Sequence, residues 1–310
     1  MAISVEEKEQ TRSFRAGDVV QVRDWAEICA SLDPKDALDN LPFMPEMKPF
    51  CGRTFRVARR ADRVCVEGTS NMGRMDGAVF LEDIRCDGAA HEGCQRGCLL
   101  IWKEKWLKPG LLDNLNQSSG ISAVTPEASG LITIQDDRFY CQSTELKKAT
   151  TRLPWWEGRQ YLRDVASGNL TVWQMVCTLA NFLERKTIGK VLSTVRARQR
   201  RNGGRTPTAT LNLQPGEWVV IKSEKDIQAT LDGRGCNRGL EFSPGMSFHC
   251  GGRYRVLQRL DKMIVEGAGK MRNISNTVIL EGVACSGACS RGCPRANYMY
   301  WREVWLQRAE

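Results

Sequence analysis

The chain has 310 residues, 42% hydrophobic and 26% charged, with thirteen cysteines, two histidines and a formal net charge of +9. This composition excludes overall disorder, the length suits about two domains, and the short, interrupted apolar runs exclude a membrane-spanning helix. Residues 1–15 are polar and lack the apolar stretch of a secretory signal, so a cytoplasmic location is expected. In a reducing compartment, clustered cysteines are metal ligands or reactive thiols rather than disulfides.

From the N-terminus, Gly17-Asp18 punctuates the chain and Val19-Val20-Gln21-Val22 predicts a strand. Trp25, Ile28, Cys29 and Leu32 recur at i, i+3, i+4 and i+7, which predicts a short helix with Cys29 on its packing face. Strands are then expected around Phe55–Val57, Val64–Val66 and Val79–Ile84, and a closing segment carries Trp102 and Trp106. Five short strands in about 95 residues fit a small barrel of the SH3-like kind.

Residues 108–212 differ in kind. A Ser/Gly/Ala/Pro-rich stretch, 116–130, reads as a linker. Residues 131–141 predict a hairpin, and residues 143–150 a short helix. Pro154 to Ala166 predicts a second helix. Thr171 and Gln174 form a capping box for a long one, whose apolar face holds Val172, Trp173, Val176, Leu179, Ala180 and Leu183. This middle segment carries 15 Lys/Arg against 8 Asp/Glu, most of the chain's positive excess. The basic residues cluster as Arg185, Lys186, Lys190, Arg196, Arg198, Arg200, Arg201 and Arg205. With Trp155, Trp156, Arg159, Tyr161 and Arg163 upstream, they suit the phosphates of nucleic acid or an anionic membrane surface, where the protein would be peripheral. A solvated face packed between the repeats accounts for the same residues without a partner.

The third segment repeats the first. Residues 14–107 align with 213–306 at a constant offset of 199 without a gap, and 23 of the 57 positions from Cys51 to Leu107 are identical. The expected organisation is therefore α+β: a cysteine-rich barrel over 14–107, a helical basic middle over 108–212, and a second cysteine-rich barrel over 213–310. In the second copy Trp218–Ile221 is the opening strand and Ser223, with Asp226, the expected helix cap. Trp102, Trp106, Trp301 and Trp305 occupy matched positions and are expected to pack the barrels and shield the metal loops.

The duplicated cysteines carry the candidate chemistry. The first copy holds Cys51, Cys86, His91, Cys94 and Cys98; the second holds Cys250, Cys285, Cys289 and Cys293. Three pairs superpose: 51 with 250, 86 with 285, and 94 with 293. Zinc takes four tetrahedral thiolate or imidazole ligands, and three such residues in a glycine-rich loop with one on a preceding segment fit two Zn2+ sites, one per copy. In the first copy the fourth ligand is either His91 or Cys98. Four thiolates also suit an iron–sulfur cluster. His91, if not a ligand, is expected to be a solvated loop residue. Cys141, at a strand end before a helix start, is the remaining candidate for a reactive thiol, although a packed or loop cysteine is the commoner role.

CDGAAHEGCQRGC before IWKEKWL, then RFYCQSTEL, LPWWEGRQYLRDVASGN, and LQPGEWV opening the second copy, together resemble an uncharacterised bacterial protein family with a duplicated cysteine-rich unit. The resemblance covers nearly the whole chain. It implies that Cys51, Cys86, His91, Cys94, Cys98 and Cys141 are more than chance, and that the protein is an accessory to a biosynthetic pathway; it supplies no reaction. The expected function is a zinc-stabilised binding or adaptor protein that holds a protein, a nucleic acid or a membrane surface. The alternative is a metal- or cysteine-dependent enzyme with its site near Cys141 or the first metal loop.

Overall fold

A computed structural model describes residues 13–67, 72–112, 130–178 with 180, 206–287 and 291–309. These fall into two compact units, one within Met1–Arg85, Leu99–Gln135 and Tyr140–Val172, the other within Cys86–Cys98, Asp136–Phe139 and Trp173–Glu310. The cysteine segment Cys86–Cys98 of the first copy thus belongs to the second unit.

Each unit is built on a five-stranded antiparallel sheet of the same order. In the first the strands run Leu99–Lys103, Ala78–Arg85, Thr54–Arg60, Val19–Val22 and Leu107–Pro109. In the second they run Tyr298–Arg302, Thr277–Ala284, Arg253–Arg259, Trp218–Ile221 and Leu306–Arg308. The two edge strands of each sheet are consecutive in sequence, joined by the single 3-10 turn Glu104–Trp106 or Glu303–Trp305. So short a link requires the sheet to curl until its edges approach, giving a half-barrel. Bulges at matched positions, Val57/Arg59 and Val256/Gln258, add local bend and twist.

The inward faces follow strand alternation. Val20, Val22, Val57, Val79, Leu81, Trp102 and Trp106 are fully buried, and so are their counterparts Val219, Ile221, Val256, Val278, Leu280, Trp301 and Trp305. Burying each aliphatic side chain of this kind contributes roughly 1.5–3 kcal/mol. The Trp106 indole N–H donates to Ser31 Oγ at 3.2 Å, and Trp305 donates to the matched Thr230 Oγ1 at 2.9 Å. The four tryptophans therefore pack the cores, as expected.

A charged network is duplicated with them. Glu104 accepts from the Phe14 N–H at 2.8 Å and from Arg60 at 2.7 Å, and Arg60 also holds Asp62. Glu303 accepts from the Leu213 N–H at 3.1 Å and from Arg259 at 3.4 Å, and Arg259 holds Asp261. In both units this ties the entering chain to the closing turn.

The helices are few and mostly shorter than the sequence predicts. The first spans only Trp25–Cys29; Ile28 is its one buried residue and Cys29 is exposed, so Cys29 is not a packing residue. Ser223 caps Glu224–Ala229 through the Asp226 N–H, as expected. In the middle segment Asp136 and Asp137, both at positive φ, turn the chain between Ile134–Gln135 and Arg138–Phe139. Helices follow at Gln142–Glu145 and Arg159–Ala166. The latter starts five residues after Pro154, because the Pro154 and Trp155 carbonyls accept from the Gln160 and Tyr161 side chains, at 2.8 and 2.9 Å. Residues 172–178 are helical, but Val172, Trp173 and Val176 are exposed, against the packed face expected of them. Leu179, Leu183 and the entire basic cluster from Arg185 to Arg205 lie outside the described residues.

One strand in the middle was not foreseen. Thr151–Leu153 adds to the hairpin Arg63–Cys65/Met72–Arg74. Gly73 makes room for it: a Cβ there would lie 2.5 Å from Thr150. The matched position in the second copy is Arg272, and its hairpin, Lys262–Val265/Lys270–Asn273, stays two-stranded.

Candidate functional site

The two cysteine segments share one backbone design. Gly88 and Gly287 have φ of 72° and 77°, and a Cβ on them would lie 2.1 Å from the Cys94 carbonyl oxygen or 2.3 Å from that of Cys293. Only glycine allows that approach. The turn is closed by Gly93 N–H to Gly88 O at 2.9 Å, matched by Gly292 N–H to Gly287 O at 2.8 Å. The base is closed by Cys86 N–H to Cys98 O, matched by Cys285 N–H to Asn297 O, both at 2.8 Å. Gly88→Ala is expected to destabilise the protein by about 2 kcal/mol or more, through positive φ and a backbone collision. Gly17→Ala, at positive φ but with open space around it, should cost distinctly less. Urea titration of the two variants checks this; equal midpoints would contradict the design.

The first segment lies along the hairpin of the second copy. Gln95 N–H donates to Lys262 O at 3.1 Å, while Gln95 Oε1 accepts from the N–H groups of Asp261 and Lys262. The Ile264 N–H donates to Cys94 Sγ at 3.3 Å. A second backbone N–H, from Arg96, also reaches that sulfur. In the second copy the Gly287 N–H donates to Cys285 Sγ at 3.4 Å. Burial pushes the Cys94 thiol up and neighbouring Cys98 adds to this; the two N–H groups and the Arg96 charge pull the other way. Cys94 and Cys293 are both buried.

His91 is 1% exposed, with its ring centroid 6.4 Å from that of Phe139. It is therefore a buried residue, not a solvated one, because the glycine-closed turn folds it inward. Cys51 and Cys250 close the 3-10 turns Pro45–Phe50 and Met246–His249 with nearly the same dihedrals. Burial, then the Asp24 carboxylate, raises the Cys51 thiol to about 11, with Lys48 opposing. Burial and then Glu224 raise Cys250. Cys86, Cys98 and Cys285 are half-buried, and Cys289 lies outside the described residues. Among the described residues no group of three or more His, Cys, Asp or Glu side chains is arranged to hold a metal ion.

Cys141 caps Gln142–Glu145, as expected, but is buried; its N–H donates to Thr144 Oγ1 at 3.0 Å. Cys65 is only half-buried, unlike its buried counterpart Ile264.

The group that sequence reasoning missed is a buried ionic triad. Glu266 pairs with Arg96 at 3.1 Å and with Arg295 at 2.7 Å, and all three are buried. The two arginines are matched residues, one from each cysteine segment, so a single carboxylate joins both. A signal existed: Arg96/Arg295 and Glu67/Glu266 are identities in the repeat. None of the described helices is long and apolar enough to cross a membrane. Compared with family models, curated proteins and solved structures, the chain matches none.

Proposed function

We propose that this chain is a cytoplasmic, zinc-stabilised binding protein in which two SH3-like repeats and a basic middle segment hold a partner, and that it belongs with the bacterial proteins it resembles. The observation that carries the reading is the duplicated cysteine turn. Both copies use a glycine that no other residue can replace to fold two cysteines into one short loop, and backbone N–H groups are aimed at Cys94 Sγ and Cys285 Sγ. N–H donors to sulfur favour the thiolate, which is the form that binds metal. Of the first copy's candidates, Cys86, His91, Cys94 and Cys98 fall in one compact unit and would supply the ligands, Cys51 falling in the other, and in the second copy Cys250, Cys285, Cys289 and Cys293 would do so. Bound metal would add its binding free energy to the folding free energy of the unit.

Elemental analysis and an absorption spectrum of anaerobically purified protein test this. The expected result is two zinc ions per chain, no visible band, and a lower melting temperature after chelation. A visible band would replace zinc by an iron–sulfur cluster. Metal-free protein whose melting ignores a chelator would overturn the metal-stabilised reading.

A further inference from the structure

The helix Arg159–Ala166 is inverted relative to an ordinary surface helix. Gln160 and Asp164, one turn apart, form its buried face, whereas Leu162, on the opposite side, is 68% exposed. The buried face is fixed by polar contacts: Asp164 pairs with the buried Arg63, and Asn169 joins Asp164 to the Arg60 backbone. Just before the helix, Trp155 and Trp156 are 43% and 68% exposed, their rings edge to face at 6.0 Å. The Tyr161 hydroxyl donates to the Trp155 carbonyl and holds this turn against the helix. A folded unit that buries a carboxylate and leaves two indoles and a leucine in water has not placed those three for its own core.

Within residues 151–166 the unpaired charges have one sign. Between residues 151 and 166 both acidic residues are already paired, Glu157 with Arg74 and Asp164 with Arg63. Arg152, Arg159 and Arg163 are exposed and have no ion-pair partner among the described residues. Indoles and an aliphatic side chain beside unpaired arginines are the ingredients of docking at a lipid headgroup layer. Leu162 has no aromatic face for stacking bases, which sets the patch apart from a single-strand nucleic-acid platform.

We propose that Trp155, Trp156 and Leu162, flanked by Arg159 and Arg163, dock the protein on an anionic lipid bilayer. This rests on the reading of the chain as a binding protein and names its partner, but not on the zinc. Full-length protein is to be sedimented with vesicles of phosphatidylcholine, with and without phosphatidylglycerol. Binding is expected only with phosphatidylglycerol, with a blue shift of tryptophan emission. Charge reversal at Arg159 and Arg163 should each weaken it by about fivefold or more. The triple variant Trp155→Ala/Trp156→Ala/Leu162→Ala should lose binding about tenfold or more with its melting temperature unchanged. Equal binding to neutral vesicles, binding that survives the triple substitution, or binding of single-stranded RNA in place of vesicles would each overturn the proposal. Protein that holds two zinc ions yet ignores vesicles overturns this inference alone; metal-free protein that docks overturns only the zinc.

Discussion

Glu266→Ala is expected to cost about 3–5 kcal/mol, because it strands Arg96 and Arg295 in the interior without their carboxylate. The residue is 4% exposed and the two arginines 7% and 6%, so water cannot take its place. Glu266→Gln keeps the shape and some hydrogen bonding and should fall between wild type and alanine. The matched Glu67 is exposed, and Glu67→Ala should change stability by less than about 0.5 kcal/mol. A buried triad can often be replaced as a whole by apolar residues at little cost, so Arg96→Met/Glu266→Leu/Arg295→Met should regain much of what Glu266→Ala loses. Urea unfolding of the four variants checks the series. A loss below about 1 kcal/mol for Glu266→Ala would show that the triad does not hold the two cysteine segments in place.

The contrast between Glu266 and Glu67 shows how two copies of one sequence unit diverge. Their hairpins are covered by different parts of the chain. In the first unit, Gly73 admits the strand Thr151–Leu153, and Arg63 takes the helix through Asp164. In the second, Arg272 stands at the glycine's position, and the Cys86–Cys98 segment lies along Gln258–Ile264 instead. Ile264 is buried beneath that cover, whereas its counterpart Cys65 is half-exposed. Divergence at these few positions, more than at the cores, sets what each copy can hold.

That pattern also explains what could be read in advance. The two half-barrels were legible because alternation and the fixed offset act within one sheet, where neighbouring residues report on one another. Seven core residues and a charged, part-buried network recur at matched positions for that reason. The cysteine turn was legible in its glycines and thiols, since its geometry is local. The assignment of Cys86–Cys98 to the second unit was not, because nothing local in the segment marks which hairpin it will cover. Helices form in the middle segment, but the face that Arg159–Ala166 buries was not legible. Period-3.6 spacing would turn an apolar side chain such as Leu162 inward, whereas the buried guanidinium of Arg63 holds Gln160 and Asp164 there and Leu162 faces outward.

Asp164→Ala should therefore be the second severe substitution, again about 3–5 kcal/mol, since it leaves Arg63 buried and uncompensated. Burial pushes the Asp164 carboxyl up, and the Arg63 charge and hydrogen bonds from Arg63 and Asn169 oppose this, so the pair is costly to build and costlier to break. The Arg63 guanidinium also lies 5.0 Å from the Tyr161 ring centroid, and Gln160 faces it from the same helix. Loss of the carboxylate should release the whole Arg159–Ala166 helix rather than one contact. Hydrogen exchange of the helix amides should accelerate together, and vesicle docking should fall although Trp155, Trp156 and Leu162 are unchanged. Asp164→Asn, which can still accept from Arg63, should retain more of both. If Asp164→Ala unfolded at the wild-type urea midpoint with its helix amides still protected, the polar face would not be what fixes the helix. The outward placement of Leu162 would then need another cause.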